Sequence, residues 1–143
     1  MIDHQPGDLV CTVSADVTLA ELQAALAGRG QMLALDPPGA AATPIGDVFD
    51  RGLFGPRAHR YGLPRDLVLG IRAELVDGTV VRSGGRVVKN VAGYDLSKLF
   101  TGARGRLGRL LELTVRLHPL PPTTATLVCE PCDPAPLLRL APA

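Results

Sequence analysis

The sequence predicts an α+β fold, a mainly antiparallel sheet flanked by short helices, from three observations. Leu67–Ser83 and Leu111–Leu117 alternate apolar and polar residues with period two. Leu19, Leu22 and Leu26 recur at helical spacing. Strands and helices do not alternate in the regular β-α-β order of a doubly wound sheet. A chain of 143 residues with 46% hydrophobic side chains has room for one well-filled core.

Each element carries its own signal. Leu9–Ser14 alternates Leu9, Cys11 and Val13 with Thr12 and Ser14, a short half-buried strand. Thr18 and Glu21 stand at capping-box spacing, so a helix is expected over Leu19–Ala27, ended by Gly28 and Gly30. Asp36–Arg60 is rich in proline, glycine and alanine and reads as a long ordered loop with one short helix near Ile45–Phe49; structureless loops of this length are uncommon and usually functional. In Leu67–Ser83, Leu69, Ile71, Ala73 and Leu75 share the apolar face of a hairpin reversed at Asp77-Gly78, expected as a two-residue primed turn. A helix is expected over Tyr94–Phe100, stopped at Gly102. In the strand that follows, Leu111, Leu113, Val115 and Leu117 should face the core, before Pro119, Pro121 and Pro122 break it. Thr126–Cys129 is a further strand candidate and Leu137–Leu140 a partial helix.

Composition narrows the function classes. The net charge is only +1 and there is no tryptophan, so the basic footprint and stacking surface of a nucleic-acid binder are missing. No apolar run approaches the ~20 residues that span a bilayer, and Met1–Asp8 is polar rather than signal-like. The expectation is a cytoplasmic protein with no membrane span and, with three cysteines, no disulfide framework. His4, His59 and His118 lack metal-ligand spacing. Cys129 and Cys132 have redox-motif spacing without a second pair or a β-α-β context, so no metal is expected.

The segment Phe100–Gly108 places glycines at 102, 105 and 108, where a missing Cβ lets backbone approach a planar or anionic ligand. Its spacing is not that of the dinucleotide fingerprint, and a plain glycine-rich connector explains it equally well. Arg104 and Arg106 suit phosphate oxygens chemically, against the simpler reading of solvated surface arginines.

The run Gly84-Gly85-Arg86-Val87-Val88-Lys89-Asn90-Val91-Ala92-Gly93-Tyr94-Asp95-Leu96-Ser97-Lys98-Leu99-Phe100, continued by those glycines, resembles the FAD-binding domain shared by vanillyl-alcohol oxidase and p-cresol methylhydroxylase. Within that family it is similar to the small FAD-binding subunit of bacterial glycolate oxidase. The resemblance covers about Gly7–Pro122 and includes Gly7–Val10, Val17–Leu19, Asp36-Pro37-Pro38, Thr43–Gly46 and Arg60–Gly70. It divides the chain into a partial FAD-binding domain, 1–122, and a proline-rich start of a C-terminal region, 123–143.

The resemblance implies FAD as cofactor, a small 2-hydroxy acid such as glycolate as substrate, and flavin and iron–sulfur partner subunits. It implies cofactor contact at Pro38, Thr43, Gly46, Tyr61, Gly62, Asp66, Gly102, Gly105 and Gly108. No catalytic residue is assigned. The sequence departs from the family at Asp47, where a glycine is usual, at Asp50–Phe54, and at Ala103 and Arg106, where serine and threonine are usual. The arginine-and-glycine-rich loop that wraps the pyrophosphate has no counterpart in the sequence, so the chain alone is expected to bind FAD weakly or not at all. The alternative is a truncated or degenerate interaction module that binds no flavin.

Overall fold

The structure is a computed structural model and describes residues 1–85 and 95–125. In chain order the elements are β1 (Ile2–Gln5), β2 (Val10–Ser14), α1 (Leu19–Ala27), β3 (Gln31–Met32), α2 (Ile45–Asp50), α3 (Ala58–Tyr61), α4 (Pro64–Leu67), β4 (Val68–Leu75), β5 (Val80–Gly84), α5 (Leu96–Phe100), β6 (Gly108–Arg116) and β7 (His118–Pro119). Five strands form one sheet in the order β1-β2-β6-β4-β5, and β3 pairs with β7 in a separate ribbon. Every pairing is antiparallel, as the α+β reading expects. Because β6 lies between β2 and β4, the sheet closes only when residues beyond 107 are in place.

One face of the sheet carries the core. Cys11, Val13, Ile71, Ala73, Leu113 and Val115 are buried beneath Leu22 and Leu26 of α1, Ile45, Val48 and Phe49 of α2, and Phe100 of α5. Burial, with a smaller contribution from Asp3, pushes the Cys11 thiol to about 11, so Cys11 packs as a small neutral group. The other face is polar: the Thr12 and Thr114 hydroxyls share a hydrogen bond of 3.0 Å across the strands. Among the described residues no helix is long and apolar enough to cross a membrane.

Several expectations change in detail. Leu9 is not in the strand; with φ 54° it closes a 3-10 turn over Pro6–Asp8, and β2 starts at Val10. Two β-bulges alter the alternation. Between Val68↔Val115 and Gly70↔Thr114 the extra residue is Leu69, and between Arg72↔Glu112 and Ala73↔Leu110 it is Leu111. An inserted residue switches facing parity, so Val68 and Leu110 are buried and Leu69 and Leu111 are not.

The hairpin loop has three residues, not two. The Leu75 N–H donates to the Thr79 carbonyl at 2.8 Å, and Gly78 takes φ 84°, a tight turn followed by a left-handed glycine. Leu67 ends α4 rather than starting the strand, and α3 interrupts the long loop. The helix near residue 100 covers Leu96–Phe100 with Asp95 as its cap. Tyr94, Thr126–Cys129, Cys132 and Leu137–Leu140 lie outside the described residues.

The start of α1 is fixed as its sequence requires. Thr18 Oγ1 accepts from the Glu21 N–H at 3.2 Å, and Glu21 Oε2 accepts from the Thr18 N–H at 2.9 Å. Replacing Thr18 with Ala should cost about 1 kcal/mol, read as a lower denaturant midpoint with an unchanged slope.

His118, in β7, stands edge-to-face with Tyr61 at 4.8 Å between ring centroids, and its Nδ1 is buried without a hydrogen-bond partner among the described residues. Burial, and then the Arg116 charge, hold its pKa below the usual 6.5. The neutral ring is therefore the form the fold favours. Its contribution is present above the unfolded pKa and is lost as pH falls through the lowered folded value. His118→Phe should keep the ring contact and reduce the loss of thermal stability between pH 7 and about pH 5.5; equal losses in both proteins would refute this.

Candidate functional site

A cleft of about 700 Å³ opens where four segments meet. Ala15 and Asp16 follow β2; Pro44, Gly46, Asp47 and Asp50 belong to α2 and its approach; Glu74–Val76 and Gly78 form the hairpin tip; Gly105 precedes β6 and Gly108–Leu110 begin it. The first turn of α2 is fastened to the end of β2, because the Ile45 N–H donates to the Val17 carbonyl at 2.8 Å and the Gly46 N–H to the Ala15 carbonyl at 2.9 Å.

The other end of α2 holds the glycine-rich loop. Helix C-termini leave carbonyls without intrahelical donors, and here the loop supplies donors from outside the helix. The Gly102 N–H donates to the Phe49 carbonyl and the Arg104 N–H to the Asp50 carbonyl, both at 2.9 Å. The Gly105 N–H donates to Asp50 Oδ1, also at 2.9 Å.

Of the nine residues implicated from sequence, Gly46, Gly105 and Gly108 meet in this cleft. Thr43 sits just outside it, its carbonyl accepting from the first amide of α1 at 3.0 Å. Pro38 is exposed in the preceding turn. Gly102 stands at the far end of the glycine-rich loop. Tyr61 packs on His118 beside the β3–β7 ribbon, and Asp66 Oδ2 accepts from the Leu63 N–H at 2.9 Å, with Gly62 packed against the Asp66 side chain. Those last three residues form a local cluster of their own. Asp16, Glu74 and Arg109, which the sequence reading passed over, line the cleft; Arg109 pairs with Glu74 at 3.1 Å. The two stand opposite each other where β4 pairs with β6, a register between strands distant in sequence that alternation within either strand does not reveal.

Two of the three cleft glycines answer a need within the chain. A Cβ at Gly46 would lie 2.8 Å from the Ala15 Cβ, and one at Gly108 would overlap the Glu74 carbonyl. Gly105 differs, since at φ 73° it faces open space.

Residues 1–84 match the family described as FAD binding domain. The chain belongs to the FAD-binding domain family. It is 42% identical over 129 residues to glycolate oxidase subunit GlcE of Escherichia coli (strain K12), covering 89% of this chain and 37% of that protein. It is 36% identical over 121 residues to glycolate oxidase subunit GlcD of Bacillus subtilis (strain 168), covering 85% of this chain and 26% of that one. The chain thus spans well under half the length of these relatives. Among solved structures, an alkyldihydroxyacetonephosphate synthase superposes with a TM-score of 0.69 at 20% identity, over 83% of this chain and 21% of that one, which shows a shared fold.

The residues of this FAD-binding domain fit part of the cofactor. Among the described residues, Asp16, Asp47, Asp50 and Glu74 line the cleft with Arg109 as the one basic side chain, and a hydrogen bond from the Ser14 hydroxyl is the main cause holding the Asp16 carboxyl below the usual range. Such a wall accepts hydrogen bonds from hydroxyl and amino groups and repels phosphate. The amides of Gly46, Gly102 and Gly105 are already bonded within the chain. The cleft therefore suits the ribose, ribityl or adenine part of FAD, not its pyrophosphate.

Asp50 should matter to the loop before it matters to any ligand. Asp50→Ala removes the acceptor of the Gly105 N–H and is expected to cost about 1–2 kcal/mol, with faster amide exchange at Gly105. Asp50→Asn, which keeps a side-chain oxygen, should retain most of the protection. Equal exchange rates in the two variants would show that the bond does not hold the loop.

Proposed function

We propose that this chain supplies one wall of the FAD site of an oxidoreductase acting on a 2-hydroxy acid such as glycolate. The observation that carries the reading is the 42% identity to a glycolate oxidase subunit across 89% of the chain. The cleft where Gly46, Gly105 and Gly108 meet supports it. When bound, the flavin supplies the acceptor for a hydride from the carbinol carbon. The chain's part is to bind and position: acidic groups receive the cofactor's hydroxyl and amino donors, and Gly105 leaves open space for close approach.

Pro38, Thr43, Tyr61, Gly62, Asp66 and Gly102 belong to the proposed contact surface through the resemblance. No general base is assigned. Residues 1–122 are proposed as the FAD-binding unit and 123–143 as the start of a further region; the place of β6 inside the sheet supports carrying the unit past residue 84. The relatives' names, both of subunits, support an assembly of several subunits; flavin and iron–sulfur partners are proposed through the resemblance alone, and the cytoplasm is the proposed location.

A second reading has its own support. Acidic groups on the cleft and bonded loop amides suit a non-catalytic interaction module derived from a flavin domain. Titration of the purified chain with FAD, followed by the flavin absorption band, separates the two. The expected result is a saturable shift with Kd weaker than about 1 μM, reduced further by Gly105→Val. Absence of any shift at millimolar FAD would favour the second reading.

A further inference from the structure

We propose that Arg51 and Arg104 form an oxyanion subsite that takes the phosphoryl groups of the dinucleotide; this rests on the FAD reading above. Arg51 is the C-cap of α2 and Arg104 stands in the glycine-rich loop. With Asp50 and Leu53 they line a depression of about 420 Å³. Asp50 borders both this depression and the larger cleft, so the two lie side by side.

Three observations support the assignment. First, neither arginine has a side-chain hydrogen bond or ion pair among the described residues, and both are exposed. Guanidinium groups bind phosphoryl oxygens through paired N–H donors. Second, Arg104 holds φ 54°, and only Leu9 among the other described non-glycine residues is also at positive φ. The left-handed region is costly for a long L side chain and favours glycine, as at neighbouring Gly102 and Gly105. A backbone cost retained for one side chain points to what that side chain does.

Third, the charge is sorted across the last turn of α2. The cleft side carries Asp16, Asp47 and Glu74 against Arg109. The other side carries two arginines against Asp50, whose Oδ1 already accepts from Gly105. A dinucleotide is divided in the same way, with neutral hydroxyl and amino donors at one part and a dianion at another. Because the loop amides are bonded to α2, the attraction for that dianion falls to side chains.

The test uses the ¹⁵N-labelled full chain, inorganic pyrophosphate as probe, and the variants Arg51→Gln and Arg104→Gly. Saturable shifts are expected at the amides of Arg51, Gly52, Arg104 and Gly105, weakening as salt is added. Each variant should bind pyrophosphate about tenfold less tightly, and the double variant should show no saturable shift. Arg104→Gly serves as its own folding control, because relief of the left-handed residue should raise the melting temperature while binding falls. Riboflavin, which has no phosphate, should bind the variants and the unaltered chain alike. Pyrophosphate affinity unchanged by either variant, or shifts confined to other amides, would overturn the subsite. FAD binding that ignores both substitutions would also overturn it and leave the FAD reading standing. Arginine-dependent pyrophosphate binding without FAD binding would keep the subsite and remove the FAD reading.

Discussion

The last turn of α2 and the loop at residues 102–105 depend on each other. The helix ends with carbonyls that need donors, and the loop has amides that need acceptors. The Phe49 and Asp50 carbonyls and the Asp50 carboxylate bring them together at 2.9 Å in each case. The join sets the distance between α2 and the start of β6, and so the opening of the cleft. It also orients the stretch in which Gly102, Arg104 and Gly105 all take positive φ. A loop that looks in sequence like a ligand cradle is thus also a helix cap. Satisfying a helix end inside a compact domain takes precedence, because an unbonded buried carbonyl costs about as much as a lost hydrogen bond.

That precedence has an electrostatic consequence. Amides bonded to a helix end do not also donate full-strength hydrogen bonds to phosphate, so attraction for an anion has to come from side chains. The side chains near the join are strongly sorted. Carboxylates gather toward β2 and the hairpin tip, and the Arg51 and Arg104 guanidinium groups, without a partner among the described residues, toward the outer side of the loop. Opposite charges at this range interact by roughly 1 kcal/mol in water and several times that where water is partly excluded. A charged ligand therefore has a preferred direction across α2 even though the whole chain is close to neutral.

Local chemistry was legible in the sequence and tertiary chemistry was not. Thr18 and Glu21 announce the start of α1 because a capping box is closed within one turn. Asp77-Gly78 announces the reversal, although its three-residue form depends on the pairing of Leu75 with Thr79. Leu113 and Val115 alternate as read, whereas Leu110 and Leu111 exchange roles because a bulge is decided by the partner strand. β1 is polar in sequence and becomes a strand by pairing with β2. At the site, glycine spacing marked both 105, which faces open space, and 108, where protein backbone comes close. It carried no information on whether ligand or protein does the approaching. For Gly108 it is the Glu74 carbonyl, and for Gly46 it is Ala15.

The charged positions around the end of α2 act as one linked set. Asp47 and Asp50 lie on successive turns of α2, and both face the cleft. Asp50 binds the Gly105 amide that a phosphate would otherwise compete for. Arg104, its own amide on the Asp50 carbonyl, places positive charge beside that carboxylate, and Arg51 follows it in sequence. Carboxylates alone would repel a phosphate, and arginines alone would leave the Gly105 amide without its side-chain acceptor. Together they keep the loop fastened and leave the attraction for an anion to side chains rather than to the backbone.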